Sequence, residues 1–368
     1  MEFVLSELCD QVMTARAGHK PLFVMGGGSK SFYGNYRPVT PQDGHCLLDM
    51  TAYSGIVSYQ PSELVVTVRA GTPLATLEAA LAEHGQMLAF EPPHFGASAT
   101  VGGCVAAGLA GPRRTAAGGV RDFVLGVRLL DSQGRILSFG GEVMKNVAGY
   151  DVSRLLAGSH GIFGAILEVS LKVAPRPFEE RTVRFEATQQ EALGHFTQWR
   201  GQPLAVSATC WSPADDGGGH VTVRLSGAPP AVRAAATRIG GQELDAAEAA
   251  PWWTSLREQT HPFFTRGQPL WRLALPPAAP VQDVGLPTLL EWGGGQRWLS
   301  GAADAQVMRE LAQRLGGHAT LFRSAGGPVP ADGVFHPLSP GVAAITRRLK
   351  QELDPAGLFN PGRLVLEL

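Results

Sequence analysis

The chain has 368 residues, enough for at least two cores at roughly 150 residues per domain. Its mean hydropathy of +0.02 and formal net charge of -1 point away from a membrane protein and from one that follows a nucleic-acid backbone. The four cysteines, Cys9, Cys46, Cys104 and Cys210, lie far apart without a C-x-x-C pair, so neither an iron-sulfur cluster nor a structural zinc is expected, and no metal site is assigned.

Leu5, Leu8, Val12 and Ala15 recur at helical spacing, and Gly18 stands where a left-handed cap is favoured, so a first helix is expected. No basic leader or long apolar run accompanies it, which implies a cytoplasmic protein without a transmembrane segment. A short apolar strand, Pro21 to Met25, leads straight into "GGGSKS". The β-branched run "ELVVTVR" from Glu63 is a further strand, followed by a helix with Thr72 as N-cap, Pro73 at its first position and Gly85 as terminator. "FVLGVRLLDSQGRILSFG" from Phe123 is two strands joined through Asp131 to Gly134, and another strand runs from Phe163 to Val173. The grouping of strands predicts an α+β domain rather than regular β-α alternation. The prolines at 175 and 177 mark a boundary, giving a first domain over residues 1–177. Residues 178–335 look looser, and residues 336–368 form a helix from about Gly341 to Leu353 and a turn-rich tail.

Three glycine-rich stretches carry the chemistry. "GGGSKS" can form a concave nest of backbone N–H groups, because glycine admits positive φ and leaves the amides open, and such a nest favours an anion. It matches neither the Rossmann pattern, which needs glycine or alanine where Ser31 stands, nor the Walker pattern, which needs glycine where Ser29 stands before Lys30. A plain turn is the other reading. "PPHFGASATVGGCVAAGLAGPRR" surrounds a run of small residues with glycine, which suits either a bulky ligand against the backbone or a tightly packed helix. "AGSHG" at Ala157 to Gly161 looks like a hydrolase elbow, but a helix-like segment precedes it and a strand-like one follows, the reverse of that motif.

In that order and spacing, these stretches resemble the FAD-binding domain of the vanillyl-alcohol oxidase and p-cresol methylhydroxylase flavoproteins. The terminal "LDPAGLFNPGR" resembles the tail of the D-lactate dehydrogenase and glycolate oxidase members, and within the family the chain is most similar to the shorter flavin subunits of glycolate oxidase. The resemblance implies an α+β fold, a two-subdomain FAD-binding domain of the p-cresol methylhydroxylase type with a reduced α+β cap. It places a pyrophosphate over Gly26, Gly27, Gly28, Ser29, Lys30 and Ser31. Pro93, Ala99, Thr100, Val101, Gly102 and Gly103 would line the flavin and ribityl chain. Gly158, Ser159, His160, Gly161, Gly164 and Ile166 would approach the adenosine end, and Asn360 would return beside the isoalloxazine. Because Ser29 and Lys30 replace the histidine of covalent members, non-covalent FAD is expected.

The partners the resemblance implies are a larger FAD-containing glycolate oxidase subunit and an iron-sulfur subunit, with a small 2-hydroxy acid as substrate and peripheral contact with the inner membrane through those partners. Hydroxyacid-oxidising relatives carry an "H-x-H-G-D-G-N" type motif in the cap. Here His195, His220, His261, His318 and His336 are isolated, so no catalytic residue is assigned. Trp211, Arg224, Trp271 and Arg272 are pocket candidates, arginine being suited to a carboxylate. Two alternatives stay open: a self-sufficient 2-hydroxy-acid dehydrogenase, and a scaffold subunit with a vestigial flavin site.

Overall fold

The computed structural model describes residues 1–35, 46–141, 151–214, 218–327 and 329–368. The first helix spans Glu2–Ala17 and buries Leu8, Val12 and Ala15. Its end differs from expectation: Gly18 has φ -86°, and the left-handed residue is His19, at φ 50°. The helix covers a parallel pair of strands, Leu22–Met25 against Cys46–Asp49, and the C-terminal tail joins this pair through a parallel bridge between Leu22 and Phe359. Leu48, Met50, Tyr53, Leu358 and Phe359 close this small core.

A five-stranded antiparallel sheet follows, ordered Ile56–Gln60, Val65–Arg69, Ala165–Lys172, Val124–Leu130, Ile136–Gly140. The expected hairpin is its edge. The carboxylate of Asp131 accepts from the amides of Gln133 and Arg135, each at 2.8 Å, while Gly134 takes φ +75°. Helix Leu74–Glu83 lays Leu74, Leu77 and Leu81 on the sheet, together with the short helix Val101–Ala107. The first of these begins one residue later than the capping pattern predicts, with Pro73 at the cap. The hydroxyl of Thr72 instead accepts from the amide of Gly55 at 2.8 Å, so it pins a loop rather than the helix.

The stretch read as loose is an ordered antiparallel sheet of eight strands. Their order is Gln242–Leu244, Glu179–Glu186, Gly219–Gly227, Val206–Pro213, Thr288–Glu291, Gln296–Ser300, Leu270–Ala274, His318–Arg323. Its central pairing joins Cys210 to Glu291, partners too far apart in the chain for local pattern to reveal. One face is covered by helices Gln189–Arg200, Pro229–Ile239 and Ala305–Arg314. The other face, with Ala208, Cys210, Leu289, Trp298 and Phe322, meets Tyr33 and Leu109 of the N-terminal half in an aromatic core. Trp211 and Trp271 turn to the helix-covered side and are buried there, so neither faces a pocket.

Charged contacts tie the two halves. Glu91 accepts from Arg224 at 2.8 Å and from the amide of Arg113 at 2.9 Å, and those guanidiniums hold its carboxylate below the usual range against the penalty of burial. Glu258, at the end of helix Ala246–Arg257, accepts from the amides of His94 and Phe95, fixing the loop that enters the second glycine-rich stretch. Helix Pro340–Leu353 then returns Leu349 and Leu353 to the five-stranded sheet's core. Among the described residues no helix is long and apolar enough to cross a membrane.

Candidate functional site

The strand Leu22–Met25 ends at the triple glycine, and the glycines prove to have separate jobs. A β-carbon on Gly26 would lie 2.1 Å from the Thr100 hydroxyl, and one on Gly27 only 1.5 Å from the carbonyl oxygen of Ser98. Both are glycine so that the first loop can lie directly on the second. Gly28 alone of the three supplies a positive φ, +72°, and a β-carbon there would make only ordinary contacts, 3.7 Å from Met25 Sδ and Ser31 Oγ. The amide of Ser31 closes the turn on the carbonyl of Gly28 at 3.0 Å. The amides of Gly27, Gly28, Ser29 and Lys30 donate to no protein acceptor among the described residues. Four unpaired donors in a loop that lines a cavity are groups that an anion would satisfy.

Lys30 adds a charge. Its ammonium donates to the carbonyl of His94 at 3.1 Å and the hydroxyl of Ser29 at 3.4 Å, and no carboxylate of the described residues pairs with it. Burial lowers its pKa below the usual lysine range, with weaker opposing effects from Cys104 and Glu258. A half-desolvated cation with only neutral partners is stabilised by any anion that enters.

The second stretch plays another part. Thr100 caps helix Val101–Ala107 by accepting from the amide of Gly103 at 3.3 Å, while the amides of Val101 and Gly102 donate to the carbonyls of Thr72 and Ala70. Its N-terminal donors are therefore used within the protein. A β-carbon on Gly102 would come 2.6 Å from that of Ala70, so glycine here brings the helix against the sheet. What the stretch offers the cavity is a smooth wall of Thr100, Gly102, Gly103, Ala106 and Ala107.

The third stretch is stitched to the second: the amides of Gly158 and His160 donate to the carbonyls of Val105 and Ala106, both at 2.9 Å. His160 is buried, and that burial, helped by the nearby positive charge of Arg363, pushes it down to about 3, so the ring is neutral. Folding thus takes up a neutral histidine whose unfolded form protonates near 6.5, and its contribution is present above that value and lost as pH falls toward 3. Stability should fall by about 2 kcal/mol more between pH 7 and pH 5 in the natural chain than in His160→Gln, measured by urea denaturation. Equal slopes in the two proteins would show that another group governs this window.

The tail completes the enclosure. The side-chain oxygen of Asn360 accepts from the amide of Val24 at 2.9 Å, its side-chain nitrogen donates to the carbonyl of His160 at 2.6 Å, and its backbone amide donates to Leu22. Arg363 donates to the carbonyls of Ser31 and Tyr33 at 2.9 and 2.8 Å. Asn360 accordingly acts as a clasp between strand, third stretch and tail.

Together these segments enclose a cavity of about 510 Å³. Of the residues expected to line it, Gly26, Gly27, Gly28, Ser29, Lys30, Ser31, Thr100, Gly102, Gly103, His160, Gly161, Gly164, Ile166 and Asn360 do so. Ala99 and Val101 point into the core beneath, Gly158 packs on Gly108, Ser159 is buried, and Pro93 lines a separate small cavity. Phe23, Met25, Leu47, Met50, Ala70 and Arg363 also line the site. Sequence reasoning missed them; Arg363 alone had a signal, standing in the "FNPGR" motif. The volume lies within the range of small-molecule sites, roughly 300–1,000 Å³. Unpaired amides and a half-buried ammonium at one wall, apolar side chains along another, suit a molecule with an anionic linker and a flat aromatic part.

Residues 5–140 match the family described as "FAD binding domain". Over 361 residues the chain is 48% identical to "Glycolate oxidase subunit GlcE" of Escherichia coli strain K12, covering 98% of this chain and 97% of that protein. This chain belongs to the GlcE family. Its cofactor is FAD, and the family is one of FAD-dependent oxidoreductases. Two other relatives match only in part. "Glycolate oxidase subunit GlcD" of Bacillus subtilis strain 168 is 29% identical over 47% of this chain and 36% of its own, and "D-lactate dehydrogenase" of Archaeoglobus fulgidus is 34% identical over 42% and 34%. Against these two the chain spans about a third of their length. The solved structure of an alkyldihydroxyacetonephosphate synthase superposes with a TM-score of 0.69 over 98% of this chain and 76% of its own, at 17% identity, a likeness of fold.

Proposed function

We propose that this chain is the FAD-bearing subunit of a multi-subunit glycolate oxidase, which oxidises glycolate to glyoxylate and passes electrons to an iron-sulfur partner. The observation that carries the flavin's place in it is the pairing of four unbonded amides, Gly27 to Lys30, with the uncompensated Lys30 ammonium on one wall of the 510 Å³ cavity. Bound FAD supplies the capacity to accept a hydride and release electrons singly. The chain's own residues bind and orient it: the first loop holds the pyrophosphate, the small-residue wall admits the flat ring, and the clasp of Asn360 and Arg363 closes the tail over the site. The FAD is held without a covalent bond, since Ser29 and Lys30 occupy the loop. Residues 1–177 form its binding domain, residues 178–335 the cap, and residues 336–368 the returning tail. The complex is cytoplasmic, meeting the inner membrane through its partners.

Lys30→Met should weaken FAD binding roughly thirtyfold, the loss of about 2 kcal/mol expected for one charge-assisted hydrogen bond. Quenching of flavin fluorescence on titration would show it, and unchanged affinity would remove Lys30 from the cradle. The reading as a whole is tested by the absorption spectrum of the purified chain before and after anaerobic glycolate, with partners added in a second step. Flavin bands that bleach only with partners present are expected. Bleaching of the isolated chain would favour the self-sufficient dehydrogenase, and absence of bands after FAD is supplied would favour the scaffold.

A further inference from the structure

A second polar site lies on the face of the eight-stranded sheet that meets the FAD-binding half. Strand alternation brings Arg272, Trp298 and Leu289 into cross-strand register on that face, with Glu291 opposite Gln296. Arg272, Glu291 and Gln296, with Gln259 from beyond helix Ala246–Arg257 and Pro93 and Phe95 from the N-terminal half, line a cavity of about 30 Å³. At 10–15 Å³ for each water, that is room for two or three waters.

The charges here are unbalanced. Arg272 lies near Tyr33, whose pKa its positive charge lowers against the larger effect of burial, and 5.3 Å from the centre of the Trp292 ring, while Arg114 lies 4.5 Å from the same ring. No carboxylate of the described residues lies within ion-pair distance of either guanidinium; burial lowers the pKa of Arg114, the repulsion of Arg272 adds to this, and the more distant Asp122 opposes it. The one acid in the cavity, Glu291, uses a single oxygen: Oε2 accepts from Trp298 at 2.6 Å and from Gln296 at 3.0 Å, and Oε1 has no protein donor among the described residues. Arg272, with no carboxylate at ion-pair distance, shares this small cavity with an acid that has an idle oxygen.

We propose that this cavity binds a two-carbon 2-hydroxy acid, whose carboxylate pairs with Arg272 and whose hydroxyl bonds to Glu291. The identity of the acid rests on the functional reading above; the site itself rests on the cavity and its two groups. Burial raises Glu291 to about 7, against hydrogen bonds from Trp298 and Gln296 and the pull of Arg272, with Glu91 adding repulsion. Cys210 also faces Glu291 and stays protonated because burial pushes its thiol well above the usual value, while Arg257 lines the cavity. Below pH 7 the neutral acid tolerates the ligand's carboxylate, and above it the ionised acid repels it.

Calorimetric titration of the full-length chain with glycolate, with and without FAD, tests this. Glycolate should bind roughly tenfold more weakly at pH 8 than at pH 6. Glu291→Gln should bind equally at both pH values, Arg272→Leu should lose at least roughly tenfold, and the extra methyl of lactate should cost roughly tenfold. No saturable binding at pH 6, or a folded Arg272→Leu with unchanged affinity, overturns the proposal. Should Arg272→Leu not fold, a pH dependence that persists in Glu291→Gln overturns it as well. FAD affinity, measured on the same samples, separates the outcomes. Glycolate binding without FAD binding would sink the flavin reading and leave this site, and FAD binding without glycolate binding would do the reverse.

Discussion

Gly27→Ala is expected to empty the flavin site, weakening FAD at least a hundredfold while helices and sheets persist. The added β-carbon would stand 1.5 Å from the carbonyl oxygen of Ser98. Both sides of that contact are backbone, so the first loop and the second must separate. Ser98 cannot simply turn away, since its hydroxyl donates to the carbonyl of Gly27 at 2.6 Å. Separation would displace the unpaired amides of the loop that lines the cavity. Gly28→Ala should behave differently. Its β-carbon meets nothing closer than 3.7 Å, and the cost is the left-handed backbone, about 1–2 kcal/mol. FAD affinity should then fall only about tenfold. Fluorescence titration of both variants, with Gly85→Ala as a control whose β-carbon meets no atom within 4 Å, checks the order. Equal effects at 27 and 28 would mean that backbone conformation, and not the loop contact, organises the cradle.

Asp354→Ala is expected to release the C-terminal tail. Lys350 and Asp354 are both buried, their charged atoms 2.6 Å apart, and the ammonium also donates to the carbonyls of Ile162 and Phe359. The carboxylate accepts from the amides of Leu358 and Phe359 at 3.0 and 2.8 Å. Removing it strands a buried cation and two buried donors, a change of about 3–5 kcal/mol. Because the tail carries Asn360 and Arg363, FAD should dissociate at a lower urea concentration than that which unfolds the eight-stranded sheet. The pair Lys350→Met with Asp354→Leu removes both charges and should recover part of the stability. Coincident loss of flavin and sheet in Asp354→Ala would show the tail to be no separate latch.

How much of this was legible beforehand varies with the range of the interactions. Leu8, Val12 and Ala15 announced their helix because a buried stripe is a local, periodic signal, and Asp131 to Gly134 announced a hairpin because its turn chemistry lies within a few residues. The helix ends were less legible. Gly18 and Thr72 have the right residue types for caps, but the local bonds of His19 to Arg16 and Lys20 to Ala15 put the left-handed residue at His19, and a tertiary contact gave the hydroxyl of Thr72 to Gly55.

The glycine-rich stretches and the terminal "FNPGR" carried a resemblance to FAD-binding domains, and it was that resemblance, rather than the bare backbone alone, that implied a dinucleotide at the first loop. Only the tertiary structure decided what each glycine does: Gly26 and Gly27 let two loops touch, Gly28 turns the chain, and Gly102 seats a helix. It also decided that Arg272 and Glu291 share a cavity with Phe95. Arg272 and Glu291 stand on different strands of the eight-stranded sheet, and Phe95 in a loop of the other half of the chain. A sequence displays the conformations its residues permit, whereas contacts between distant segments exist only once burial has brought them together.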